Sequence, residues 1–576
     1  MSEKRKFEEY AQLGGINSKA SQYATGIHEF LGMVNLNFRR PGALSKRDGS
    51  TFYIGATIQG RVHSGYEFER LNGVSHIVAA ANTNLYSVSS AWTSIKSGIK
   101  ADSLFDFQTF VDRMFACNGD EHIIWDGVGT PYKYDTPRPV SGFTFGTNGA
   151  GPLNGTYKVT YGYVTERGYF APGASPITRV MSGGATGAYT LTGLTLPSGF
   201  GISQLAFYRT EANGSVLSLL ATTGFTTSFT DAGATALSSQ LLPSYFALTL
   251  SPRYLSLFNN AMFMSGYSGL LSTMFFSEVG EPQGIRPEYF FEVRTNDGDR
   301  VVGHTPYSGG LVVFKERSFH QVSGDNPNNY SLTEISDQYG CVGNRASVVW
   351  NDVLWFLDSK GIVQFNGANY SIVSAKVEPI FVRMNLQAAR ENATAVHDKI
   401  NNQVKFSFPV DGATKNNMTV VYDYLVDAWT TELGYEPSVA FMAKGTQSVN
   451  TEFYGGYTGT LHNFNASLRG DNGRGMTALM LTRFLADMGN SVTKQFRRLF
   501  IDTVPVGTSS LLNVNFFQDY GASVVLTRTT VQSPFQNRID YGIQAKALSV
   551  EIAHTSDTEN MQVNGYTIEY TPQRRV

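Results

Sequence analysis

One pattern constrains this chain more than any other: an apolar strand, a tight polar turn and a second apolar strand, repeated at nearly even intervals. It is clearest from Asn351 to Gly367, NDVLWFLDSKGIVQFNG. Val353 to Leu357 is a continuous apolar run, Asp358-Ser359-Lys360-Gly361 is a turn, and Ile362 to Phe365 returns. A four-residue turn ending in Gly suits a type I turn followed by a left-handed residue. Val353, Trp355 and Leu357 then face one way, Leu354 and Phe356 the other. A strand apolar on both faces needs a cover on both. A lone hairpin buries too little to stand in water, so the chain must supply like neighbours above and below.

It does. Similar hairpins run from His76 to Val88, Arg113 to Asp126, Ala261 to Val279, Leu311 to Val322, Gln403 to Trp429 and Phe453 to Phe464. Those beginning near residues 311, 353, 404 and 453 recur every 42 to 51 residues, and the first two are 37 apart. The interval from 113 to 261 is 148 residues, but a compositionally different block of 101, Gly142 to Leu242, lies inside it. Without that block the interval is 47. Multi-stranded repeats of about 40–50 residues are the signature of β-propeller blades. Seven hairpins point to six or seven blades, with Thr51–Thr57 a candidate strand to close the ring.

Composition agrees. The 576 residues include 58 glycines, 13% aromatics and only 16% charged residues. That profile suits an all-β, Gly- and aromatic-rich chain of several domains. A net charge of -2 leaves no electrostatic footprint for nucleic acid or membrane. Cys117 and Cys341 are too few and too far apart for a disulfide framework. They read as buried thiols of a protein made in a reducing compartment. The charged start, MSEKRKFEEY, has no apolar core, so no signal peptide is expected, and no run is long enough to span a bilayer.

The domains follow in order. Residues 1–50 read as an extended arm with a possible short helix at Phe7–Leu13. The arm either wraps over the protein's own surface or docks on a neighbour. Residues 51–141 carry the first blades. The block 142–242 has regular short strands, Tyr157 to Glu166, Tyr189 to Leu194, Gln204 to Thr210, Leu217 to Thr222 and Thr227 to Thr230, which argue for a β-sandwich. YKVTYGYV, LTGL and FYRTEANG resemble a fibronectin III-like module. Residues 243–466 carry the remaining blades. After a Gly-rich stretch, Ser467 to Gly475, residues 467–576 read as a C-terminal β-sandwich ending in the basic pair Arg574-Arg575.

The chain offers little chemistry. Its nine histidines are scattered, and neither HExxH, GxSxG, a P-loop nor GxGxxG occurs. Gly266-Tyr267-Ser268-Gly269 is a near miss that reads as a hairpin turn. Asn296-Asp297-Gly298-Asp299 is half a calcium loop without the remaining ligands, and reads as an ordinary turn. The sialidase Asp-box and the WD40 signature are absent. No catalytic residue, cofactor or metal is expected. The densest basic cluster, Arg39, Arg40, Pro41, Lys46 and Arg47, is either a solvated arm or a docking segment for an acidic partner.

NLNFRRPGALSKRDG, Asn35 to Gly49, resembles the N-terminal signature of phage virion proteins of the tail nozzle and packaged-DNA stabilisation type. Asp48 stands where that signature usually has Pro. The closing GYTIEYTPQRR, Gly565 to Arg575, is similar to the end of the same proteins, and the domain layout matches over nearly the whole chain. The resemblance implies a structural subunit of a short phage tail, in a hexameric ring below the portal and adaptor proteins. It implies a role in retaining packaged genomic DNA, letting it pass to the host, and carrying tail fibres. Such a protein is assembled in the bacterial cytoplasm and ends in the virion. An alternative is a carbohydrate-binding or depolymerising tail component acting on host polysaccharide. A third is a bacterial propeller scaffold with no ring partners.

Overall fold

The repeated hairpins are the middles of four-stranded antiparallel sheets. The structure, a computed structural model, describes residues 5–135, 137–139, 142–195, 197–245, 251–444, 450–486, 489–504, 510–532 and 537–573; for Arg39 and Arg40 it describes the backbone only. Six consecutive sheets span residues 62–97, 106–133, 254–292, 301–336, 347–372 and 394–432. The seventh is made of Val439–Ala443, Thr451–Gly455, Leu461–Asn465 and, from the other end of the chain, Gly49–Phe52. The first strand of each sheet lies beside the first strand of the next, and that of sheet seven lies beside that of sheet one. This is a closed seven-bladed β-propeller. The closing strand is Gly49–Phe52, slightly ahead of the expected Thr51–Thr57; it pairs antiparallel with Leu461–Asn465.

Blade five shows why the pattern dictates the fold. Val353–Asp358 pairs with Ser347–Trp350 on one side and Gly361–Phe365 on the other. Asn351 and Asp352 have φ of 51° and 59°, the left-handed pair that a two-residue type I′ turn needs. Asp358 is paired with Gly361, so the second turn holds only Ser359 and Lys360. Phe356 packs on Phe314 and Phe319 of blade four, with ring centroids 5.0 and 5.2 Å away. Trp355 turns to blade six. The neighbouring blades supply the two covers.

The block after blade two is a β-sandwich. One sheet holds Thr144–Gly149, Ala188–Thr192 and Ser228–Asp231; the other holds Ile177–Ser182, Asn154–Thr165, Ile202–Arg209 and Ser218–Thr223. Alternate residues of the long strand, Tyr157, Val159, Tyr161 and Tyr163, face its core, and Phe207 stacks on Phe229 at 3.8 Å.

The first fifty residues are built into the protein's own body. Lys6–Tyr10, Leu36–Arg40 and Ala43–Lys46 join the sheet of Gln562–Pro572, Lys494–Thr503 and Asn537–Ala545. Phe30–Val34 joins the facing sheet of Arg474–Thr482, Leu548–Ser556, Leu511–Gln518 and Leu526–Val531. The helix expected at Phe7–Leu13 is a strand instead, because Lys6–Tyr10 pairs with residues 566–570 and Tyr10 stacks on Tyr566 at 4.6 Å. Tertiary pairing overrides a weak local propensity. Val34 also bridges Thr431 in the outer strand of blade six, so the second sheet runs from the C-terminal sandwich into the propeller. The stretch Ser467 to Gly475, expected as a linker, holds the short strand Gly470–Asp471 at this joint.

Candidate functional site

The starts of the first strands of blades two, three, five and six meet at the propeller axis. They enclose a cavity of about 30 Å³, lined by Phe105, Asp106, Arg253, Tyr254, Asn344 and Arg345 among others. That is room for one or two waters. The segment leading into blade five crosses this opening. Asn344 donates from Nδ2 to Asp106 Oδ2 at 3.0 Å. Arg345 donates to the carbonyl of His63 at 2.6 Å and to that of Glu391 at 2.8 Å. In a ring of seven, His63 in blade one and Asp106 in blade two lie opposite blade five. Two consecutive side chains therefore bolt the axis shut.

The electrostatics follow from burial. Asp106 accepts from the backbone N–H groups of Leu255 and Phe107 as well as from Asn344. Burial still pushes its carboxyl up to about 6. Burial pushes Arg345 down to about 10, and the like charges of Arg61 and Arg253 add to the push. Burial, Arg61 and Arg345 push His63 down to about 3, so that imidazole is neutral at ordinary pH. Around the axis neighbouring first strands are tied side by side: Tyr66 to Thr109 at 2.8 Å, Ser256 to His304 at 2.6 Å and Thr305 to Ser347 at 2.8 Å.

The basic cluster singled out in the sequence does not form one patch. Arg39 and Arg40 end the strand Leu36–Arg40, and their side chains lie outside the described residues. Pro41 is exposed in the turn that follows. Lys46 and Arg47 are buried, so neither is open to an outside partner. Lys46 donates to the carbonyl of Ser556, and burial, then Arg47, push its ammonium down to about 8. The basic end, Arg574-Arg575, lies outside the described residues.

Arg47 is the fastener of the joint between propeller and C-terminal sandwich. Its Nη1 and Nη2 grip the carboxylate of Asp471 at 3.1 and 2.6 Å. Nε reaches Asn35 Oδ1 at 2.9 Å, and the remaining donors reach the carbonyls of Asp48 and Leu433 at 2.9 and 3.3 Å. All five guanidinium N–H groups are thus used, over the ring of Tyr435 at 4.9 Å. Asn35, left-handed at φ 56°, also accepts from Leu433 N and donates to Thr477 O. Burial raises the Asp471 carboxyl, but the Arg47 charge and the bonds from Arg47 and Ser50 outweigh it, and the group ends below its ordinary range. Beside this pair Lys405 sits among Glu452, Glu432 and Asp398 at 2.9, 3.4 and 3.9 Å.

The half calcium loop already has its cation. The Lys315 ammonium is held by both oxygens of Asp297 at 2.8 Å and by the carbonyls of Val293 and Arg294 at 3.0 and 2.9 Å. Both cysteines are buried free thiols. Among the described residues no group of three His, Cys, Asp or Glu is placed to hold a metal, and no helix is long and apolar enough to cross a membrane. Asn344, Arg345 and Asp471 carry no motif, and nothing in the sequence marks them.

No family model and no curated protein matches the sequence. Among solved structures, the WD40 domain of Neurospora crassa Pan2 aligns at 9% identity over 73% of this chain and 94% of that one, with a TM-score of 0.30. BBS1N in its complex with ARL6DN aligns at 8% over 71% and 93%, with a TM-score of 0.27. An exo-β-1,3-galactanase from Phanerochaete chrysosporium aligns at 7% over 88% and 100%, with a TM-score of 0.19. Scores this low carry no argument about function. The class rests on the strand pairings: a seven-bladed propeller, an inserted sandwich, and a C-terminal sandwich sharing strands with the N-terminal segment.

Proposed function

We propose that the protein is a structural subunit of a short phage tail, the nozzle or hub type that the stretch Asn35 to Gly49 resembles. The observation that carries the reading is where that stretch lies. Asn35 and Arg47 are hydrogen-bonded to one another, and Arg47 to Asp471, so the stretch lies at the joint between propeller and C-terminal sandwich. The propeller axis, closed by Asn344 and Arg345, cannot pass a duplex. The channel of the proposed ring therefore runs between subunits, built by heterologous contacts of the kind cyclic rings need. A chain without basic excess suits such a wall, because counterion release makes a basic lumen hold DNA. Electron microscopy and mass spectrometry of virions test this: the reading requires the protein in particles, as a ring at the tail. Its absence from particles sinks it.

A specific observation keeps the carbohydrate reading alive. Tyr424, Trp350, Trp355, Tyr422 and Trp429 form one row of touching rings across blades five and six, with Trp350 and Tyr424 stacked at 4.3 Å and half-buried. Trp355 and Trp429 are buried, so within this row only the half-buried Trp350, Tyr422 and Tyr424 present any surface to a sugar ring. Incubation with host surface polysaccharide decides between the two: sustained release of new reducing ends favours the depolymerase.

A further inference from the structure

We propose that the inserted sandwich is held at one bearing by a catch, the hydroxyls of Tyr169 and Tyr245 seated on turn 278–284 of blade three, while the root of the module stays pinned to blade two. The pin is His122, buried at the start of the strand His122–Trp125. Its two ring nitrogens face the two chains that join module to propeller. Nε2 faces the carboxylate of Asp135 on the outgoing chain, and Nδ1 lies 2.7 Å from Ser251 Oγ on the returning one. Ser251 Oγ also donates to the carbonyl of Asp120, and Gly119 N donates to that of Pro252, both at 2.9 Å. Both chains are thus tied to blade two at residues 119–122.

The catch is a separate contact. Turn 278–284 follows the strand Leu270–Phe276 of blade three. Its own bonds stiffen it, Glu278 N to Gly284 O and Gly284 N to Glu281 O, each 2.8 Å. Tyr134, on the outgoing chain, is bonded to Pro282 and Gln283 of the same turn. From the sandwich, Tyr169 follows the strand Asn154–Thr165 and donates its hydroxyl to the carbonyl of Gly280. It accepts in turn from Arg167 at 3.1 Å, whose guanidinium lies over the Phe110 ring at 5.1 Å. Tyr245 donates to Glu281 Oε2 at 2.6 Å. Blade two adds one backbone bond, from Lys133 N to the carbonyl of Gly199 at 2.8 Å. These are partly buried polar contacts, of a kind that water can replace. A polar seat leaves relative motion as the default between domains, so a few bonds decide the bearing. The module then has two states, seated on the turn or free on its root.

The test is a distance between spin labels on the full chain, placed at Val180→Cys in the sandwich and Leu71→Cys in blade one. Both positions are exposed, and the native thiols Cys117 and Cys341 are buried. Pulsed electron paramagnetic resonance should return a narrow distance distribution. Tyr169→Phe combined with Tyr245→Phe removes only the two hydroxyls. It should broaden or shift that distribution while leaving the melting temperature unchanged. Each substitution is also measured alone, so that the result stands if the pair lowers melting. Tyr208→Phe removes a buried sandwich hydroxyl that has no hydrogen-bond partner among the described residues, and should leave the distance as it was. The proposal is overturned if the parent chain already gives the broad distribution, or if the narrow one survives loss of both hydroxyls.

Discussion

Trp355 stacks on Tyr422 across the gap between blades five and six, with ring centroids 5.0 Å apart and planes inclined by 28°. Trp355 is 2% exposed, and its neighbour in sequence, Phe356, faces blade four instead. Trp355→Ala should therefore cost roughly 3–5 kcal/mol. A double-mutant cycle with Tyr422→Ala should return a coupling of about 0.5–1.5 kcal/mol. Urea unfolding of the four proteins measures both. Additive effects would mean that the two rings do not support one another.

Arg47 and Asp471 should behave as a buried pair. Removing one partner strands the other, so Asp471→Asn should lose roughly 3–5 kcal/mol. Arg47→Lys should also be poorly tolerated, since an ammonium cannot reproduce the two-pronged grip or reach Asn35 at the same time. Near-normal unfolding midpoints for both variants would contradict the fastener role.

The carboxyl of Glu452 sets a pH dependence. Burial pushes it up to about 7, with Lys405 pulling down and Asp398 and Glu432 pushing up. Unfolded, it titrates near 4.5. Between these values the folded chain keeps a proton that the unfolded chain has lost. Stability is therefore greatest below the lower value and falls as pH rises through the upper one, by at most roughly 3 kcal/mol. Glu452→Gln should flatten that slope, as read by denaturant titrations at a series of pH values. An equal slope in both proteins would assign the dependence elsewhere.

Lys315 fills a loop that reads like half a calcium site. Lys315→Met should free residues 293–297, leave Asp297 without its ammonium, and raise the rate of proteolytic nicking there. A cleavage rate equal to that of the parent chain would show that the loop holds itself.

The blades are legible in the sequence because each central strand is covered on both faces. Continuous apolar runs such as Val353 to Leu357 announce that. The sandwich strands from Tyr157 and Gln204 are legible for a related reason, their alternating core residues. The N-terminal strands are not. Lys6–Tyr10 is short, and only Tyr10 is fully buried; what makes it a strand is a partner at residues 566–570. The docking patch misleads for the same reason. Lys46 and Arg47 look solvated beside a turn, and the carboxylate that buries Arg47 lies 424 residues away. The axial bolt of Asn344 and Arg345 is written in no local pattern at all, because ring closure alone brings blades one and two opposite blade five.

Gly49–Phe52 leaves the ribosome early and finds its partner, Leu461–Asn465, late. At roughly 5–20 residues per second, the ~400 residues between them take about 20–80 s to synthesise. Until then the blades form an open arc whose end faces are apolar and uncovered. The first fifty residues, with few apolar runs of their own, can wait in water through that interval. Closure of the ring therefore waits until most of the chain has been made, and the nascent arc exposes apolar blade faces throughout that interval.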